Sequence, residues 1–142
     1  MPMDELAKLE SEAVEALLAQ LAAAADLTRK PLRHGVRFSG ETPATLSACS
    51  DCCVRIEART AEGDRLERAD LELEIYRSGT DLNLMLSRVH DDLAPLLWHG
   101  QHPVWMHAAT GERQERPADG APLEALARRV RALLVITDPA DR

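Results

Sequence analysis

Aromatic side chains are scarce in this chain, and cysteine is scarcer still. Phe, Trp and Tyr make up 3% of the 142 residues, so a hydrophobic core must be built mainly from Leu, Val, Ile and Ala. The three cysteines all lie between Cys49 and Cys53. An odd number of clustered cysteines is typical of reduced thiols and argues against a disulfide framework.

Positive charge is also in deficit. Lys and Arg number 17 against 24 Asp and Glu, which gives a formal net charge of -7. General nucleic-acid binding needs a positive footprint, so the charge argues against this function class. A basic protein partner suits an acidic chain better.

Long hydrophobic runs are missing as well. The longest apolar stretch, residues 17–25, is interrupted by Gln20 and falls far short of a membrane span. The first ten residues carry acids where a secretory signal would carry bases. We therefore expect a cytoplasmic protein that does not bind membranes.

Sequence motifs of common enzymes are absent. The chain has no phosphate-binding glycine loop, no nucleophile elbow and no dinucleotide-binding fingerprint. The sequence therefore favours a protein without catalytic activity.

What the sequence does contain is a regular alternation over residues 52–88. In three successive runs every second residue is apolar, as at Val54, Ile56 and Ala58. Alternation of this kind is typical of strands with one buried and one solvent-facing side. The region is therefore predicted to form a three-stranded antiparallel meander.

The turns of the meander predict its register. The tight turn between the first two runs places Ile56 opposite Leu71, and a loop at residues 78–79 places Ile75 opposite Leu82. Both registers pair apolar with apolar side chains, which supports the assignment.

Amphipathic helices are predicted at both ends of the chain. Residues 5–25 have apolar side chains at helical spacing and an alanine-rich end. Residues 122–136 begin with Pro122 at a favoured first-turn position. We expect both helices to cover the apolar face of the sheet, and a dimer seam along the first helix is the alternative.

The remaining segments are shorter. Residues 27–51 are interpreted as a linker with one candidate short strand at 34–40. Residues 91–98 are predicted to form a short helix or turn, because Pro95 limits a helix to about one turn. Residues 103–116 are interpreted as a second hairpin.

Together these elements predict a single α+β domain over residues 1–142, with an antiparallel sheet of four to six strands covered on one face by the terminal helices. The order of helix, three strands, short helix, two strands and helix resembles that of small acidic secretion-chaperone-type domains. The resemblance implies a cytosolic homodimer that holds segments of partner proteins.

The candidate binding surface is the segment 98–107, which holds both tryptophans and three of the five histidines. Tryptophan is enriched where partners dock, and histidine is the usual proton carrier near neutral pH. Alternatively, the tryptophans cover the open end of the core. The candidate binding residues are Trp98, His99, His102, Trp105 and His107.

A zinc site is a second hypothesis. Cys49 and Cys52 form a C-x2-C pair, and His99 and His102 form an H-x2-H pair. Two thiolates and two imidazoles can complete a tetrahedron around Zn²⁺. The long separation of the pairs and the inward direction expected for Cys52 weaken the hypothesis.

The acidic residues of the outer sheet face are a weaker cation-site candidate. Glu72 and Glu74 belong to this set, and arginines on the same face can balance it. We interpret it as an ordinary solvated sheet face.

The sequence thus favours a small cytoplasmic protein-binding, adaptor or assembly-chaperone-like domain without a cofactor. The first alternative is a metal-binding protein or metalloenzyme that uses the Cys49, Cys52, His99 and His102 cluster with zinc. The second is a small-ligand-binding domain with a pocket between sheet and helices.

Overall fold

A computed structural model of the protein describes residues 3–45, 51–78 and 81–137. These residues form one antiparallel sheet of seven strands and two terminal helices, which confirms the α+β class. The strands lie in the sheet in chain order, so each strand pairs with the next one. The elements are α1 (Met3–Thr28), β1 (Arg33–Phe38), β2 (Asp51–Arg59), a short 3-10 turn (Glu67–Ala69), β3 (Leu71–Ser78), β4 (Asp81–Arg88), β5 (Leu96–His99), β6 (Pro103–Met106), β7 (Arg113–Gln114) and α2 (Ala121–Thr137).

The sheet has more strands than the predicted four to six. The difference lies mainly in the segment 91–98, where a short helix or turn was expected. Only its first part is a turn, and Leu96 begins β5 directly after Pro95. Proline disfavours helical geometry in the residue before it, and the chain continues as an extended strand. Side chains alternate along β5, with Leu97 and His99 buried.

The register of the meander agrees with expectation at one junction and differs at the other. Ile56 lies opposite Leu71, as predicted. Ile75 lies opposite Leu84 rather than Leu82, because pairing of β3 with β4 continues to the very ends of both strands. The expected loop at 78–79 reaches Gly79, which lies outside the described residues. A shift of two residues keeps every side chain on its predicted face.

Both helices cover the same face of the sheet. Helix α1 contacts β1, α2 contacts β4 and β5, and the helices contact each other. Leu73 and Leu84, at the centre of the meander, are fully buried. The core is aliphatic, as the composition requires, and Phe38 and Trp105 are its aromatic members. Among the described residues, neither helix combines the length and hydrophobicity needed to cross a membrane.

Trp105 fixes the start of α2 to β6. Its indole Nε1–H donates a buried hydrogen bond of 2.7 Å to Oε2 of Glu124, in the first turn of α2. An acidic side chain is favourable at this end of a helix. Gly120 packs so closely that a Cβ atom there would lie 2.8 Å from Cζ2 of Trp105 and 2.6 Å from Cγ of Arg116.

A buried polar cluster attaches the end of α1 to the sheet. Nη1 of Arg29 lies 3.1 Å from Nε2 of His34, and Nη2 donates a 2.9 Å bond to the carbonyl oxygen of Ala69. Because a guanidinium only donates, Nε2 of His34 must be the acceptor. Its Nδ1 therefore carries the proton and donates to Oδ1 of Asp26 at 2.9 Å. The ring is held neutral between an acid and a cation.

The cluster shifts the pKa values of its members. Burial, followed by the charge of Arg88, lowers the pKa of Arg29 to about 10, so the guanidinium remains charged at neutral pH. Burial also lowers the pKa of His34 below its ordinary value of 6.5, and the charge of Arg29 acts in the same direction. Asp26 and Asp70 oppose this shift without cancelling it.

We expect Gly120→Ala to lower the free energy of unfolding by about 1–3 kcal/mol, because the new methyl group overlaps the Trp105 ring. Gly35→Ala is the matched control, since no heavy atom lies within 4 Å of a Cβ at that position. Urea denaturation of both variants measures the difference. Equal losses in the two variants would contradict the close contact at Gly120.

We expect the free energy of unfolding to fall as the pH drops through about 6.5, because the unfolded chain then protonates His34 while the folded state resists it. Urea denaturation between pH 8 and pH 5, both about 1.5 units from the ordinary histidine pKa, measures this slope. His34→Leu removes the titrating ring and is expected to flatten the curve.

The exposed His102 supplies the control for this slope. His102→Gln should leave the pH dependence as in the unaltered chain. A slope that survives in His34→Leu, or that disappears in His102→Gln, would show that other groups cause it.

Candidate functional site

The structure separates the five candidate binding residues between the two faces of the sheet. Trp105 and His99 face the helices and are only 5% and 3% exposed. Nδ1 of His99 lies 3.0 Å from the carbonyl oxygen of Gly100. Trp98 is half-buried on the opposite, outer face. Burial removes Trp105 and His99 from any contact surface.

The two remaining histidines are exposed. His102 lies between β5 and β6, and His107 follows β6, where its Nδ1 accepts a hydrogen bond of 3.2 Å from the backbone N–H of Ala109. Both lie outside the strands, at the two ends of β6. A binding surface on this segment must therefore be built around Trp98 and its neighbours on the sheet.

Trp98 belongs to a cluster of apolar side chains on the outer face of β3 to β6. These side chains are half-buried, or in the case of Tyr76 38% exposed, although they lie on the face away from the helices. We call this cluster the outer apolar patch. Its members are Tyr76, Met85, Leu96, Trp98, Val104 and Met106.

The strand register holds the outer apolar patch together. Met85 is directly opposite Trp98, which is directly opposite Val104. Tyr76 stacks on Trp98 with ring centroids 5.9 Å apart and an angle of 24° between the ring planes. Stacking of this kind restricts the rotation of both rings.

Gly100 makes room beside the indole of Trp98. A Cβ atom at this position would lie 2.8 Å from Oδ1 of Asn83 and 3.8 Å from Nε1 of Trp98. The absence of a side chain therefore lets Asn83 lie close to the edge of the outer apolar patch.

The other half of the outer face, on β1 to β3, is charged. Nε of Arg37 lies 3.6 Å from Oε1 of Glu57, and Nη2 of Arg55 lies 3.9 Å from Oε1 of Glu72. These loose, accessible pairs contribute little to stability. The two halves meet at β3, where Glu74 is opposite Met85.

Cys53 lies within the charged half. Its thiol donates a 3.2 Å hydrogen bond to Oε1 of Glu72. Burial and the hydrogen bond to Glu72 raise the pKa of Cys53 to about 11, so the thiol stays protonated at neutral pH. Burial, together with the charge of Glu72, also raises the pKa of Glu74.

The structure does not assemble the predicted zinc cluster. Cys52 and His99 lie at the two ends of one inner row that runs through Ile75 and Leu84. Three strand spacings of about 4.8 Å put them about 14 Å apart. Two ligands of one zinc ion lie less than about 5 Å from each other. Of the other two predicted ligands, His102 is exposed and Cys49 lies outside the described residues.

A cleft of about 340 Å³ lies between the helices, lined by residues such as Ala23, Leu27 and Leu133. It opens between α1 and α2 rather than between the sheet and the helices, where a ligand pocket was expected. The small-ligand hypothesis gains no support from it and stays a prediction.

The comparisons with known proteins bear on the family of the chain. No curated protein and no solved structure matches it. Residues 18–133 match the family described as a domain of unknown function (DUF8659). The match begins within α1, ends within α2 and includes all seven described strands. Because it covers most of the chain, the protein belongs to the DUF8659 family.

Proposed function

We propose that the protein is a non-enzymatic binding domain that holds an apolar segment of a partner protein on its outer apolar patch. The observation that carries the proposal is the accessible cluster around the stacked rings of Tyr76 and Trp98. Contiguous exposed apolar patches mark interaction sites on soluble proteins.

The contrast between the two halves of the outer face supports the proposal. A sheet covered on one side has polar side chains on the other. Strands β1 to β3 obey this rule, with residues such as Arg37, Arg55 and Glu57 on the outer face. The outer positions of β5 and β6, together with Met85 of β4 and Tyr76 of β3, depart from it, because apolar residues stand where polar ones are expected.

The chemistry of the patch suits contact rather than catalysis. Tyr and Trp offer large contact areas at a small cost in side-chain entropy. Met85 and Met106 flank them with flexible, polarisable side chains that adapt to different surfaces. The patch combines a preordered aromatic centre with an adaptable border.

Charge favours one kind of partner segment. The chain has a net charge of -7, and Glu74 borders the outer apolar patch directly. A segment with Lys or Arg beside its apolar residues would gain attraction during approach and in the complex. A cytoplasmic location, expected from the odd number of clustered cysteines, belongs to the same proposal.

We expect a photo-crosslinking amino acid at Met85 to form discrete adducts with a partner protein in the cells that produce this chain. Trp98→Ala should reduce these adducts at least about tenfold, as removal of a central aromatic contact does. The same crosslinker at the exposed Arg128 of α2 is the control. The readout is the mass and yield of each adduct.

Adducts that are the same from Met85 and Arg128 would overturn the proposal. An adduct of twice the chain mass would also overturn it, because the occupant would then be a second copy of this chain. Yields that are unaffected by Trp98→Ala would place the contact outside the patch.

The two tryptophans provide the folding control. Trp98→Ala removes a half-buried outer side chain and should preserve the circular dichroism spectrum at 25 °C. Trp105→Ala should cost about 3–5 kcal/mol of unfolding free energy, because it empties part of the core and removes the buried donor to Oε2 of Glu124. Equal destabilisation by both changes would show that Trp98 is a core residue.

A further inference from the structure

Three side chains with metal-binding atoms converge on the outer face, beside the outer apolar patch. Sγ of Cys53 and one carboxylate oxygen each of Glu72 and Glu74 all lie within 4.8 Å of one another. Within residues 3–45, 51–78 and 81–137, this is the one group of three or more such side chains with convergent donor atoms.

The backbone holds these donors rigidly. Cys53 is the direct cross-strand partner of Glu74. Glu72 is the neighbouring outward-facing residue of β3, two positions before Glu74. Both strands are interior strands of the sheet, with pairing partners on each side. A site on paired strands keeps its ligand geometry better than a site on a loop.

The donor set identifies the class of metal. A thiol is a poor ligand for Mg²⁺ or Ca²⁺, whereas Zn²⁺ accepts thiolate sulfur at about 2.3 Å and carboxylate oxygen at about 2.0–2.2 Å. Around a tetrahedral zinc ion these bond lengths place ligand atoms about 3–4 Å apart. A rotation of the side chains can bring donor atoms that lie within 4.8 Å of one another to these distances.

The hydrogen bonds of Cys53 and Glu72 indicate how these side chains would bind a cation. The Cys53 thiol donates a hydrogen bond of 3.2 Å to Oε1 of Glu72. The thiol proton therefore lies between two of the three atoms that could bind a metal ion. The hydroxyl of Ser39 donates to the same oxygen at 3.2 Å and orients this carboxylate from outside the group. Such outer contacts position metal ligands. Nη2 of Arg55 forms a long ion pair of 3.9 Å with Oε1 of Glu72.

We propose that Cys53, Glu72 and Glu74 form a zinc site on the outer face of the sheet. Sγ of Cys53 and one oxygen of each carboxylate are the three protein ligands. The fourth position is open to water or to a donor from a bound molecule, as in zinc sites with three protein ligands. Binding breaks the S–H bond, forms a Zn–S bond and releases one proton to solvent, so the charge is balanced.

This site is distinct from the proposed docking function. Tyr76 connects the proposed zinc site to the outer apolar patch. Its hydroxyl donates a hydrogen bond to Oε2 of Glu74, and its ring stacks on Trp98. Zinc binding can be measured without a partner, so failure of one proposal leaves the other standing.

The experiment titrates the full chain with zinc chloride by calorimetry and with Co²⁺ by absorption spectroscopy. We expect one equivalent of metal, one released proton and a thiolate-to-cobalt charge-transfer band. Cys53→Ser should abolish the band, and Glu74→Gln should weaken zinc binding by at least about tenfold. Ser39→Ala should weaken it by about tenfold, as loss of an outer contact does.

Two matched controls separate the site from the other thiols and carboxylates. Cys52→Ser changes the neighbouring thiol, which packs toward the core, and Glu57→Gln changes a carboxylate elsewhere on the outer face. Both should bind zinc as the unaltered chain does. Circular dichroism confirms that each variant is folded.

The absence of stoichiometric binding would overturn the proposal. Binding that persists in folded Cys53→Ser would also overturn it, as would a band that disappears in Cys52→Ser instead. Unchanged zinc affinity in Glu74→Gln would show that the carboxylate is not a ligand.

Discussion

The pairing of β2, β3 and β4 is the constraint on which the rest of the molecule depends. Because successive side chains of a strand alternate between faces, one register decides what is buried and what is exposed on every strand. The same register that buries Leu73 and Leu84 produces an outer row across five strands. That row consists of Cys53, Glu74, Met85, Trp98 and Val104. The pairing that makes the core therefore also fixes the positions of the proposed metal ligands and of the outer apolar patch.

The sequence allowed the sheet and both helices to be predicted because their apolar periodicity is long and regular. It could not decide the register of β3 and β4. Leu82, Leu84 and Leu86 are chemically equivalent partners for the apolar residues of β3, so alternation determines the face but not a shift by two residues. Strand β5 was missed because Leu96, Leu97 and Trp98 are consecutive apolar residues, which hides the alternation.

The candidate site was predictable only in part. Its centre, Trp98, lies in the segment 98–107, which the composition of the sequence indicated. The burial of Trp105 and His99 depends on β5 and β6, and a strand of four residues is too short for the sequence to show which face is buried. Glu72 and Glu74 were correctly expected on the outer face. Their convergence with Cys53 depends on cross-strand distances that no linear spacing contains.

The arrangement of the strands in chain order also affects how the protein folds. Every pairing joins neighbours along the chain, so no long loop must close before the sheet can begin to form. Proteins rich in such local contacts fold faster than sandwiches and barrels of similar size. The meander can grow outward one strand at a time, and helices α1 and α2, which contact each other, then dock on it. Rapid closure shortens the time during which unpaired strand edges are open to aggregation.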